Sequence, residues 1–166
     1  MQIPIRKPGQ YTGQKPDPYL TEDKFSELQA ALEKLKKFSR PRAADEVDRL
    51  SKLGDFSENA DYSIAKGRLR GINQRILELE DHLRRAVIIQ PNKNTGQVQL
   101  GQAVTVEVNG AQKTYRILGS EEIDPAGGVI SHHSPIGSAL MGHKVGDRLK
   151  IKIADREAEY KILKIE

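Results

Sequence analysis

A chain of 166 residues without a single cysteine has room for one domain or two small ones; disulfide staples and thiolate-ligated zinc are excluded, and a reducing, cytoplasmic setting is expected. Lys and Arg number 27 against 23 Asp and Glu, which favours an anionic partner, while the absence of Trp leaves few platforms on which bases stack. No apolar run approaches the roughly 20 residues that span a bilayer, and the segment from Met1 to Pro8 lacks the apolar core of a signal peptide, so no membrane partner is expected.

Residues 1–19 carry Pro4, Pro8, Pro16 and Pro18 with Gly9, Gly13 and scattered basic side chains. That mixture has too little apolar surface to order itself and predicts a flexible arm. Thr21 before Glu22 and Asp23 marks a helix start, because its hydroxyl accepts an orphan amide and acids suit the positive end of the helix dipole. Phe25, Leu28, Leu32 and Leu35 form one apolar stripe; Ser39-Arg40-Pro41 predicts a kink or short break; Val47, Leu50 and Leu53 resume the stripe up to Gly54. Leu69, Ile72, Ile76, Leu79, Leu83 and Ala86 then alternate steps of three and four. Two such seams joined by a short polar turn predict an antiparallel coiled-coil hairpin over residues 20–90, with arms of about 30 residues, or roughly 45 Å.

Beyond Pro91 the period becomes two. Ala103–Val108, Asn109-Gly110 and Lys113–Leu118 read as a hairpin with a type I′ turn, and further strands are expected at Gly128–Ser131, Arg148–Ile153 and Glu157–Ile165, with a short helix at Pro135–Met141. The expected fold class is therefore α+β: a helical hairpin followed, over residues 91–166, by a small and mostly antiparallel sheet domain.

The hairpin tip, residues 54–62, reads Gly-Asp-Phe-Ser-Glu-Asn-Ala-Asp-Tyr. Asp55 and Glu58 have the N-cap and N3 spacing of a capping box, with Ser57 as another cap and Asp61 favourable at the helix start. Two acids on a rigid tip also supply half a site for Mg²⁺, a hard cation that takes one or two carboxylates, keeps several waters and is completed by substrate phosphates. Spacing alone does not choose between the two.

The same nine residues resemble the acidic-tip motif of the Gre transcript-cleavage factors, written G-D-x-x-E-N-A-[DE]-Y. Leu20-Thr21, Arg40-Pro41, the run Ser134–Leu140 and Lys144-Val-Gly-Asp147 fall in step, so the resemblance covers residues 20–166. It implies a coiled coil that enters the secondary channel of bacterial RNA polymerase, where Asp55 and Glu58 hold a Mg²⁺ shared with the polymerase. The polymerase then cuts the 3′ end of its own backtracked RNA. On this view the chain is a monomeric accessory factor and not an enzyme. Ser57 is a candidate for orienting water or RNA, with capping at least as good an account. Asn59 and Tyr62 are expected to support the turn.

Lys66, Arg68, Arg70 and Arg75 crowd the return helix, and the run from Ala60 to Arg70 resembles the GreB branch more than GreA. The resemblance favours RNA contact for Arg68 and Arg70 first and for Lys66 and Arg75 second; a solvated face is the plain alternative. The second half resembles the FKBP-like C-terminal domain of the family, which grips the channel rim through a loop holding Ser134 and Pro135. Pro135 equally suits a turn before a short helix. His133 stands where the family has Asp or Asn, which bears on rim contact and its pH dependence. His132 and His133, if extended, point opposite ways and are not expected to share a metal. Two other functions fit less well: a channel-docking regulator without cleavage, and a proline isomerase suggested by fold analogy alone.

Overall fold

Thr21 starts the first helix in the way its neighbours suggest: its Oγ1 accepts from the Lys24 backbone N–H at 3.2 Å, and Glu22 and Asp23 occupy the first turn. The computed structural model describes residues 15–52, 60–90, 96–154 and 156–166. Within it α1 spans Glu22–Lys34, α2 Arg40–Ser51 and α3 Ala60–Arg85. Leu28 and Leu32 of α1 are buried with Ile76 and Leu79 of α3 and with Leu20, and Phe25, Leu35, Ile72, Leu83 and Ala86 pack around them. The two stripes thus close on each other as expected, each fully buried side chain contributing about 1.5–3 kcal/mol. Nearer the tip the buried residues are Ala43, Leu50 and Ala65, which offer less apolar area.

The interruption expected at Ser39-Arg40-Pro41 is not a break. Leu35–Ser39 form a π-turn between α1 and α2, in which the Arg40 N–H bonds to the Leu35 carbonyl five residues back. A proline ring crowds the carbonyl four residues before it, and a wider turn relieves that crowding while the helix continues.

Order also begins earlier than the composition of the first residues suggests. Residues 15–19, expected within a flexible arm, are docked, whereas residues 1–14 lie outside the described residues. Tyr19–Leu20 (β1) pairs in parallel with Val87–Ile88 (β2), which follows α3. The Val87 and Ile89 N–H groups donate to the Pro18 and Leu20 carbonyls at 2.7 and 2.8 Å. His82, four per cent exposed, places Nε2 3.0 Å from the Asp17 carbonyl. A buried imidazole needs such a partner, and this one ties α3 to the incoming chain.

Five strands form the second unit: β3 (Ala103–Val108), β4 (Ala111–Leu118), β5 (Val129–Ser131), β6 (Arg148–Ile153) and β7 (Arg156–Ile165), in the order β5-β4-β3-β7-β6. All pairs are antiparallel except β4 with β5. Asn109 and Gly110 have φ of 51° and 74°, the left-handed pair that a two-residue turn of this type requires. Val104, Val106, Ile117, Ile151 and Ile162 face one core together with Val98 and with Leu140 of α4 (Pro135–Leu140).

The two units meet at a 3₁₀ turn, Ser120–Glu122, that follows β4. Asp17 Oδ2 accepts from the Ser120 N–H at 2.9 Å and from its hydroxyl at 3.0 Å, and Oδ1 accepts from the Tyr19 N–H at 3.1 Å. Glu122 accepts from the Thr21 N–H at 2.9 Å and from the Thr21 hydroxyl. Burial by itself raises the Asp17 carboxyl, but the bonds from Ser120 and Tyr19, helped by nearby His132, outweigh it and hold the group below the ordinary carboxylate value. Gly119 leaves the space for this contact, since a Cβ there would stand 2.0 Å from the Tyr19 carbonyl oxygen.

Gly119→Ala is therefore expected to cost about 1–3 kcal/mol by overpacking and to speed hydrogen exchange at Val87 and Ile89 before the sheet core is affected. Because the Asp17 carboxyl titrates lower in the folded chain, its contribution is whole above about pH 4 and fades as the pH falls below that. Asp17→Asn should lower stability by about 1–3 kcal/mol near neutral pH and flatten the acid limb of a melting-temperature profile.

Candidate functional site

Asp55, Ser57 and Glu58 lie outside the described residues, between Lys52 at the end of α2 and Ala60 at the start of α3. The neighbouring ends of α2 and α3 lie at the far end of the hairpin from the sheet. At 1.5 Å per residue, the 26 residues of α3 carry that end about 39 Å from Arg85.

The return helix arranges its cations in two groups. Lys66 and Arg70, four residues apart on one face, line a groove of about 630 Å³ with Ser51, Tyr62, Ser63 and Gly67. The Lys66 ammonium lies 5.2 Å from the centre of the Tyr62 ring, a cation–π distance. Arg68 instead borders a smaller hollow with Glu46, Arg49, Leu50 and Asp61. Arg75 lies further from the tip and sits 3.6 Å from Glu78. Among the described residues Lys66, Arg68 and Arg70 form no ion pair, and Arg68 borders the hollow that Glu46 and Asp61 also line. The grouping of Lys66 with Arg70 differs from the sequence ranking, which favoured Arg68 with Arg70; helical phase separates those two, as residues two apart do not share a face.

The second candidate region is the loop between β5 and α4. The Ser134 hydroxyl accepts from the Gly137 N–H at 3.0 Å and caps α4, Pro135 takes the first helical position, and both the Pro135 and His133 side chains are exposed. Gly137 is needed because a Cβ would stand 2.1 Å from the Ser131 carbonyl oxygen. Lys144-Val-Gly-Asp147 forms a turn closed by Asp147, whose Oδ2 accepts from the Lys144 N–H at 2.9 Å and lies 3.1 Å from His143 Nδ1. Those two contacts hold the Asp147 carboxyl below its usual range.

One expectation here is overturned. His132 and His133 lie in a turn, not in an extended strand, so their rings stand side by side with centroids 3.8 Å apart instead of on opposite faces. His132 Nδ1 is 3.5 Å and His133 Nε2 3.9 Å from Asp17 Oδ2, and the Tyr19 ring meets His132 edge to face at 5.5 Å. Sequence reading missed Asp17, Ser120 and Glu122 altogether. Proline-rich surroundings masked Asp17, and its partners lie about a hundred residues away.

Residues 18–88 match the family model described as transcription elongation factor, N-terminal, and residues 92–166 the model described as transcription elongation factor, GreA/GreB, C-term. Transcription elongation factor GreA of Macrococcus caseolyticus is 39% identical over 149 residues, covering 88% of this chain and 94% of that protein. Its counterpart in Nautilia profundicola is 38% identical over 149 residues, covering 88% and 92%. Among solved structures, GreA factor homolog 1 of Thermus thermophilus is 29% identical with a TM-score of 0.41, covering 89% of this chain and 97% of that one. The C-terminal model joins GreA with GreB and so does not divide the two branches.

Proposed function

The chain belongs to the GreA/GreB family of transcription elongation factors, and from that premise we propose that it stimulates cleavage of backtracked nascent RNA by bacterial RNA polymerase. What supports this reading is the acidic motif at residues 54–62 of the sequence, between two helices of a long hairpin whose return helix carries Lys66 and Arg70 on one groove. In this reading the coiled coil enters the secondary channel and the polymerase supplies the catalytic scaffold. The factor has no activity alone and works as a monomer.

Asp55 and Glu58 are the residues that would hold Mg²⁺. Two carboxylates suit a hard cation that retains waters and completes its shell from the partner and from phosphate oxygens. Such an ion, when bound, lowers the pKa of water and neutralises charge that develops on the phosphodiester. Ser57 orients water or RNA beside them. Lys66 and Arg70 face one groove and contact the RNA backbone near its 3′ end, where each cation replaces condensed counterions. Arg68 gives a second contact on another face, and Arg75, engaged with Glu78, a weaker one. At the channel rim the exposed His133 and Pro135 make the contact, while Ser134, committed to capping α4, shapes the loop that presents them.

Cleavage is read from backtracked elongation complexes as release of short 3′ RNA fragments. Asp55→Asn with Glu58→Gln should reduce that release by about 100-fold or more while leaving polymerase binding intact, as removal of groups that act on the reacting centre does. Equal cleavage by this double variant overturns the metal assignment. Lys66→Ala with Arg70→Ala should weaken crosslinking to the RNA 3′ end more than Arg68→Ala does, and lower the salt slope of binding by about one for each phosphate no longer neutralised. Unchanged crosslinking returns these residues to an ordinary solvated helix face.

A further inference from the structure

We propose that Asp17, His132 and His133 form a binding site for a borderline transition-metal ion, Zn²⁺ foremost, at the junction of the N-terminal segment with the sheet domain. This is independent of the acidic tip and of the cleavage reading. The ligand atoms of the three residues all lie within 4.8 Å of one another, and theirs is the one such group of three among the described residues.

The distances suit a small tetrahedral ion. At metal–ligand bonds of about 2.0–2.2 Å, tetrahedral neighbours lie about 3.3–3.6 Å apart. His132 Nδ1 and Asp17 Oδ2 already stand at 3.5 Å. His133 Nε2 is at 3.9 Å and must close by a few tenths of an ångström, a small movement for a side chain that is 71% exposed. Asp17 and His132 are the fixed half, their side chains 3% and 16% exposed. The backbone holds the two rings in place: the His132 N–H donates to the Leu118 carbonyl at 3.0 Å and the His133 N–H to Ser131 Oγ at 3.0 Å.

Competing hydrogen bonds can yield to a metal ion. The Ser120 hydroxyl lies 3.0 Å from Asp17 Oδ2 and 2.9 Å from Ser131 Oγ, so turning its proton toward Ser131 frees a lone pair of Oδ2 while the Ser120 N–H stays bonded. His132 Nδ1 is 3.3 Å from the Leu118 carbonyl oxygen, a long contact that is given up when the ring proton moves to Nε2. Two imidazole nitrogens with one carboxylate oxygen select Zn²⁺, Ni²⁺ or Cu²⁺ over Mg²⁺ and Ca²⁺, which take oxygen ligands. Water completes the shell on the exposed side of His133. Bound metal would pin the loop that leads into Ser134 and Pro135 to the segment that enters the coiled coil.

The test uses the full chain without an affinity tag, stripped with a chelator, and titrated with Zn²⁺ by calorimetry and with Co²⁺ by visible absorption. One equivalent should bind, Co²⁺ should show the intense bands of a tetrahedral site, and Zn²⁺ should raise the melting temperature. His133→Gln alters an exposed side chain and should leave the fold intact yet weaken binding by more than about tenfold, since one of only three protein ligands is gone. His143→Gln, and Asp55→Asn with Glu58→Gln, should bind as the unaltered chain does. Absence of saturable binding, equal binding by His133→Gln, or loss of binding through His143 or the tip acids instead, overturns the proposal.

Discussion

The Asp17 carboxylate is the contact on which the arrangement of the molecule depends. It is buried, charged and satisfied by three donors, two from Ser120 and one from Tyr19. A buried carboxylate without those bonds would cost several kcal/mol, so the donors fix where residues 15–21 lie. From that placement follow the β1–β2 pairing, the Asp17 carbonyl opposite His82, and Leu20 in the base of the coiled coil. Thr21 joins the two units a second time: it caps α1 and donates to Glu122. One short segment therefore registers the helical hairpin against the sheet.

The rod carries this registration outward. Its base is held by leucine and isoleucine, and its outer part by Ala43, Leu50 and Ala65. The π-turn at Leu35–Ser39 lets Pro41 sit within a continuing helix, so that the first arm still runs to Ser51 alongside α3. Stiffness over about 39 Å turns a fixed base into a directed tip. Under the proposed function the chemistry takes place inside a partner, and reach then matters more than a pocket of its own. The proposed function draws on two distant positions: the cations near the far end of α3, and the His133–Pro135 loop beside the base.

The loop and the latch share atoms. His132 is a neighbour of Asp17, its ring meets Tyr19, and its backbone leads into the turn that presents His133 and Pro135. The two imidazoles thus stand against the segment that leads into the rod. The coupling is local and physical, through one carboxylate and two rings packed against each other.

Much of the fold is legible in the sequence because its determinants are periodic or local. The threes and fours from Phe25 to Leu35 and from Leu69 to Ala86, the alternation of β3, the Asn109-Gly110 turn and the Ser134 cap are each decided within a few residues. The acidic motif at residues 54–62 is likewise a local signal, and with the distant Ser134–Leu140 run it pointed to the family. Tertiary structure alone decided the rest. Asp17 becomes a buried anchor only where Ser120 comes to meet it, and Gly119 matters only because Tyr19 passes over it. His132 and His133 face the same way, toward Asp17, because the chain turns there. These outcomes rest on contacts between residues remote in sequence, whose free energy no local pattern records.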